Sequence, residues 1–494
     1  MSFGNQSGDL ASFEEVVPDV ARLTGLTRSS ILTQRRRVKI APQSGPIYGG
    51  GGSGAGNAQL QFLIADQGGL LDPRSVCLNY NIQTSGTGGP VPDDGHVFTT
   101  VQVLLNGQPL DNIQNAMKLT NMEMTMGGSE TYYKTAASFQ GFELLNNDLT
   151  TTLPAAGSSS VIASDTQYGY VANNVADIAA RTTRASAPIF GNFAGEQRSI
   201  PLGLISGVGR MKTYVPIALL GEIAIILQTG SNGEVMFNPS SNVAGDFSLA
   251  NVSLEYDIVV PRPEYMALLQ KIANDGADAG LNLPYESSIL QAGAGIAAGS
   301  TALTENTVIV SRATNHLLRS SVVQVPTALL QSVNYPSQSC FSHAGLWSVQ
   351  WRIGSQMYPN LPAQGDAAVF NCALDAYGSV EQENGSCTNR VLWGNSTNGL
   401  TAGTPAVYET ASLATGGTTK FAYGDRCVPS YGFRTVKGES EPLDIDGVSL
   451  AGASGSQVIV SFVSAPPANY TPFVSLVALR FIQAQGGGVR VAGA

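Results

Sequence analysis

The sequence predicts an all-β chain of two consecutive antiparallel sheet domains joined by one short helix. Three observations predict it. A single well-formed helix signal, Pro263 to Gly276, lies between two long halves. Both halves read as short strands of alternating apolar and polar residues. Each half also carries one long Thr/Ser/Gly-rich stretch without strand periodicity, residues 144–198 and about 360–440.

The helix signal is complete. Pro263 suits the first helical position, where its missing N–H removes nothing. Glu264 in the first turn and Lys271 near the last complement the helix dipole. Tyr265, Leu268, Leu269 and Ile272 form one apolar stripe, and Gly276 supplies a left-handed stop. Before it, Val76, Leu78, Tyr80 and Ile82 alternate as a half-buried strand. Thr100–Leu105 runs into Asn106-Gly107, the strongest two-residue hairpin signal. Leu202–Gln228 reads as two apolar strands around a turn near Gly207–Gly209. Val252, Leu254, Tyr256 and Ile258 close the half. After the helix, strands are expected at 307–310, 321–325, 346–353, 458–463 and 474–481. Loops as long as the two irregular stretches are uncommon without a role of their own.

At 494 residues the chain exceeds one typical core. Charged residues are 13%, against an average near a quarter, and glycine is abundant at 56 residues. Few charges with many small residues suggest a surface covered by other subunits. The net charge is −10, yet Arg22, Arg28, Arg35, Arg36, Arg37 and Lys39 fall in a stretch without acids. An acidic body argues against general nucleic-acid binding. Residues 1–57 read as an arm, basic and then glycine-rich, with Ser12–Thr24 as a short helix candidate. Its arginines suit phosphate or anionic lipid, or a salt-bridged contact under a neighbouring subunit. No stretch reaches the roughly 18 apolar residues of a membrane span. The N-terminus lacks a secretory pattern, so the five cysteines are expected as thiols in a reducing compartment. A Cys372–Cys387 bridge is the conceivable exception.

The search for chemistry is negative. His96, His316 and His343 are widely spaced and form no metal-ligand pattern. Neither a phosphate loop nor a nucleophile elbow occurs, and Gly49–Gly54 precedes a strand pattern rather than a helix. No catalytic residue, metal or cofactor is expected. Trp347 and Trp351 stand four apart in a strand and so point to one face, as core aromatics or as a sugar-stacking platform. Glu381 and Glu383 are the carboxylates a glycan-processing sandwich would use.

Several segments resemble a known family. Leu346–Pro359, with the run Trp351-Arg352-Ile353-Gly354-Ser355 followed by Tyr358-Pro359, is similar to a stretch in the second half of double jelly-roll major capsid proteins, particularly those of virophages, Polinton-like viruses and protist viruses. Ile200-Pro201-Leu202 with Tyr214-Val215-Pro216-Ile217, and Val252–Asp257, resemble first-half strands of the same proteins. The resemblance spans most of residues 58–360. It implies two eight-stranded jelly rolls (58–262 and 277–494), the connector helix at 263–276 and an extended N-terminal arm. It implies a homotrimer of pseudo-hexagonal outline tiling the icosahedral shell of a double-stranded DNA virus, located in the virion. The long loops become outward towers open to a host surface. The arm lies inside against neighbours, membrane or genome, and penton and minor capsid proteins are further partners. The alternatives are a carbohydrate-binding or glycan-processing β-sandwich protein and a fibre module.

Overall fold

The computed structural model describes residues 32–45, 48, 55–65, 69–85, 91–92, 95–128, 132, 136–142, 188–190, 193–194, 196–237, 245–274, 281–299, 303–310, 314–330, 337–378, 393, 426–434, 447–450, 456–463, 466, 468–485 and 488–492. Its main elements are β1 (Leu32–Ile40), β2 (Gln59–Ile64), β3 (Leu70–Ser85), β4 (Phe98–Leu105), β5 (Gln108–Gln114), α1 (Ala116–Gly127), β6 (Glu196–Pro201), β7 (Val215–Pro216), β8 (Ile223–Thr229) and β9 (Asp246–Pro261). Then come α2 (Pro263–Asn274), β10 (Leu281–Ala292), β11 (Asn306–Val310), β12 (Leu317–Pro326), β13 (Leu346–Ile353), β14 (Gln356–Gln364), α3 (Asp366–Ala376), β15 (Ser430–Gly432), β16 (Ser456–Phe462), β17 (Tyr470–Gln485) and β18 (Gly488–Ala492).

Each half folds into two facing antiparallel sheets. In the first, a five-stranded sheet runs β1-β9-β3-β7 with β6 also on β3, and a four-stranded sheet runs β2-β8-β4-β5. In the second, β10-β17-β12-β15 carries β18 on β17, and the four-stranded sheet runs β11-β16-β13-β14. Leaving aside β7 and β18, which have no counterpart, the order β1-β9-β3-β6 with β2-β8-β4-β5 is repeated as β10-β17-β12-β15 with β11-β16-β13-β14. The architecture is therefore duplicated even though the sequence shows no residue-level repeat. The interleaved order is the jelly roll, which covers its edges with a second sheet.

Alternation places the cores where the sequence expects them. Val76, Leu78, Tyr80 and Ile82 are buried, as are Val252, Leu254, Tyr256 and Ile258. Asn106 (φ 47°) and Gly107 (φ 78°) turn β4 into β5 with both residues left-handed, as a tight hairpin requires. α2 runs Pro263–Asn274 with Tyr265, Leu269 and Ala273 buried. Leu268, expected in the stripe, is instead 46% exposed, because the helix docks through positions four apart.

Three expectations are corrected. Leu202–Ile205, expected in a strand, is a helical turn, while the turn expected near Gly207–Gly209 is the 3-10 turn Gly207–Arg210 and Ile223–Thr229 is the strand expected. Trp347 and Trp351 do not share a face. The register shifts between Leu346 and Ser348, a bulge that reverses the alternation. Trp351 is buried, its indole N–H donating to Ser320 Oγ at 3.1 Å, whereas Trp347 is 38% exposed. Finally, Leu32–Ile40, read as part of an arm, is the edge strand of the first barrel, paired to β9 from Leu32↔Pro261 to Ile40↔Leu254.

Most of residues 144–198 and 360–440 lies outside the described residues, as do Ser12–Thr24, Glu381, Glu383 and Cys387. The described ends show that both long loops leave from one place in the topology, between β5 and β6 and between β14 and β15. Each begins with a helix entered through a left-handed residue, Asn115 (φ 54°) before α1 and Gly365 (φ 78°) before α3.

Candidate functional site at the seam and the basic edge

Of the six basic residues singled out in the sequence, Arg22 and Arg28 lie outside the described residues. The other four stand on β1. Strand alternation puts Arg35, Arg37 and Lys39 on one face, above a row of carboxylates from the neighbouring strands. Arg35 Nε and Nη2 reach Asp257 Oδ2 at 2.9 and 2.6 Å, and Nη2 lies 3.3 Å from Asp72 Oδ2. Arg37 Nε donates to Glu255 Oε2 at 3.1 Å, and Lys39 Nζ is 3.3 Å from Glu255 Oε1. The hydrogen bond to Asp257 raises the Arg35 pKa further. The three side chains remain 56–65% exposed, so these pairs are screened and individually weak. Three cations on β1, Arg35, Arg37 and Lys39, meet three carboxylates, Asp72, Glu255 and Asp257. The basic edge is held by its own barrel and still faces outward.

A second constellation, invisible in the sequence, joins the barrels. Glu123 on α1 accepts from Arg319 Nη2 on β12 at 2.7 and 2.5 Å. Arg210, in the turn after β6, lies 3.6 Å from Glu123 and 3.8 Å from Glu286 on β10. Glu286 also accepts from Arg434. The Arg319 guanidinium stacks on the Tyr377 ring at 3.9 Å. Burial pushes the Glu286 carboxyl up, and Arg210, Arg434 and Arg319 more than offset this, leaving it below its ordinary value. Burial lowers and Glu123 raises the Arg319 pKa, with a net rise.

Neutral contacts complete the seam. The Leu110 carbonyl accepts from Tyr285 Oη at 2.9 Å and from Arg480 Nη1 at 3.3 Å. Lys118 Nζ donates to the Ser337 carbonyl, and Asn121 Nδ2 to the Gln338 carbonyl at 3.1 Å. A Cβ placed on Gly207 would lie 1.4 Å from the Glu286 carbonyl oxygen, so the two backbones touch there. Nearby, burial raises the Asp111 pKa against hydrogen bonds from Ser206 and Ser287.

The histidines behave as ordinary polar residues. His96 is fully buried. The Phe98 N–H donates to Nδ1 at 3.2 Å, so Nε2 carries the proton and donates to Thr120 Oγ1 at 2.9 Å. Burial, with Arg198 adding to it, lowers its pKa to about 3. His343 Nε2 lies 2.8 Å from Asp366 Oδ1. Among the described residues no cluster of three metal-binding side chains occurs, and no helix is long and apolar enough to cross a membrane.

These shifts set a pH dependence. The unfolded chain protonates His96 near 6.5, where the folded chain holds it neutral, so stability falls as pH drops from 6.5 towards 3. Glu286 has a depressed folded pKa, so its contribution is present above about 4.5 and is lost as pH falls through the lower folded value. Thermal melts between pH 7.5 and 3.5 are expected to decline below pH 6.5 and steepen below 4.5. Glu286→Gln is expected to remove the second, steeper part.

No protein-family model matches the sequence, and no curated protein sequence matches it significantly. The topology itself defines the class: two jelly rolls in series make the double jelly-roll fold. Solved structures similar to it include a chain of the Sputnik virophage at 3.5 Å (TM-score 0.52, 12% identity, covering 94% of this chain and 89% of that one). The PBCV-1 virus capsid gives a TM-score of 0.51 at 11% identity, covering 94% and 97%. The Faustovirus major capsid protein gives 0.51 at 10% identity, covering 97% and 98%. At these identities the likeness is one of fold.

Proposed function

We propose that this chain is a major capsid subunit of a double-stranded DNA virus, with no catalytic role. It assembles as a pseudo-hexagonal homotrimer that tiles an icosahedral shell, and it resides in the virion. The observation that carries the reading is the duplicated barrel: two halves with one strand order, fixed side by side through a partly buried ionic seam. Three such chains present six similar barrels, which is what a hexagonal tile needs. Likeness in fold to a protein titled a major capsid protein supports it, as do the low charge and abundant small residues, which suit broad subunit contacts.

In this reading residues 1–31, with Arg22 and Arg28, lie inside against membrane, genome or a neighbour. The parts of 144–198 and 360–440 outside β6, β14, α3 and β15 form outward towers, and penton and minor capsid proteins complete the shell. The carbohydrate-binding alternative loses its shared tryptophan platform, since Trp351 is in the core and Trp347 is not beside it. Light scattering on the size-exclusion peak at micromolar concentration is expected to give the mass of three chains. A monomer alone would contradict the proposal. A glycan array is expected to show no binding.

A further inference from the structure

One member of the seam has no partner of its own. Glu123 is hydrogen-bonded by Arg319, and Glu286 by Arg434. Arg210 stands between the two carboxylates, 3.6 Å from Glu123 Oε2 and 3.8 Å from Glu286 Oε2. Both distances are longer than a hydrogen bond. Among the described residues nothing accepts from the buried Arg210 Nε. Arg319 Nε is buried and unpaired as well, on a residue only 9% exposed. A buried donor on a charged group is costly to leave unmade.

The two guanidiniums are neighbours from different barrels. Arg319 Nη2 lies 2.5 Å and Arg210 Nη1 3.6 Å from the same oxygen, Glu123 Oε2. Arg319 stands on β12 of the second barrel, stacked on the Tyr377 ring, and forms the floor of the cluster. Arg210 belongs to the first barrel, and its side chain is 33% exposed, so the cluster opens to solvent on that side. What is missing is an acceptor that also carries negative charge, because both carboxylates near Arg210 are already bonded to other arginines. Water supplies an acceptor without charge. A tetrahedral oxyanion supplies both, and guanidinium is the side chain whose N–H fork matches it.

We propose that the seam is a binding site for a small oxyanion of the phosphate class, held jointly by Arg210 and Arg319 and so fastening one barrel to the other. The site lies within a single chain and stands whether or not the chains assemble. It is separate from the basic strand β1, whose cations Arg35, Arg37 and Lys39 already have carboxylate partners.

The test is a series of thermal melts of the full chain in millimolar inorganic phosphate, with ionic strength held constant by chloride. A ligand that binds only the folded state raises the melting temperature with the logarithm of its concentration. Above the dissociation constant, each tenfold rise in phosphate is expected to add about 3–5 °C. Arg210→Gln is expected to melt alike in phosphate and in chloride. Lys271→Gln, which removes an exposed cation of α2, is expected to keep the full response. Glu123→Gln removes a competing carboxylate and is expected to respond more strongly than wild type, a gain that a general salt effect does not give. No response in the wild type, or an equal response in Arg210→Gln, overturns the proposal. A larger shift with a nucleoside monophosphate than with free phosphate overturns the assignment to a small anion. Should Arg210→Gln misfold, titration calorimetry on the wild type decides: one phosphate per chain is expected, and no binding in the same millimolar range contradicts the site.

Discussion

Gly207→Ala is expected to lower stability by about 3 kcal/mol, the upper end for overpacking a closed site. The new methyl group would sit 1.4 Å from the Glu286 carbonyl oxygen and 2.6 Å from its carbonyl carbon. Both are backbone atoms of β10, which is paired along its length with β17 and has no rotamer to change. The methyl group forces the two backbones, and with them the barrels, apart, which would loosen the Glu286 contact to Arg210. At roughly 2–4 °C per kcal/mol for a domain of this size, the melting temperature falls by about 6–12 °C. Calorimetry should separate the cause. One transition is expected for the wild type and two for the variant, because the barrels then unfold separately. A single transition at the wild-type temperature would show that the close approach is relaxed without consequence.

Glu123→Gln carries the second large effect. It removes the carboxylate that meets Arg319 at 2.5–2.7 Å, leaving a guanidinium with an 11% exposed side chain over the Tyr377 ring. Breaking one side of a buried pair costs about 3–5 kcal/mol, because the remaining charge is desolvated without compensation. The neighbouring Glu286 retains part of the attraction, so about 3 kcal/mol is expected in denaturant titrations. The double variant Glu123→Leu with Arg319→Met is expected to lie closer to wild type than Glu123→Gln does, since it removes both charges together. Equal losses in the single and double variants would mean that packing, not charge, holds α1 against the second barrel.

The same residues explain what sequence could and could not convey. Alternating strands are local patterns, so Val76–Ile82 and Val252–Ile258 were legible, as were the Asn106-Gly107 hairpin and the helix opened by Pro263. α1 was not, because it is buried on nearly every side and shows no apolar stripe against a polar one. The turn at Leu202–Ile205 lies in a short apolar run, for which strand and helix look alike. The bulge at Trp347 reversed a face that plain alternation assigns. The seam was out of reach for another reason: Glu123 and Arg319 lie 196 residues apart, and only the packed barrels bring them together. The basic run of β1 was visible as charge, but its partners Asp72, Glu255 and Asp257 became known only with the sheet register.

The most direct test of the central claim, that this duplicated barrel is a shell-forming tile, is electron microscopy of the purified full-length chain in negative stain. Class averages are expected to show particles of hexagonal outline with threefold symmetry, six barrel densities around a centre. Averages showing only isolated two-lobed particles at micromolar concentration would contradict it.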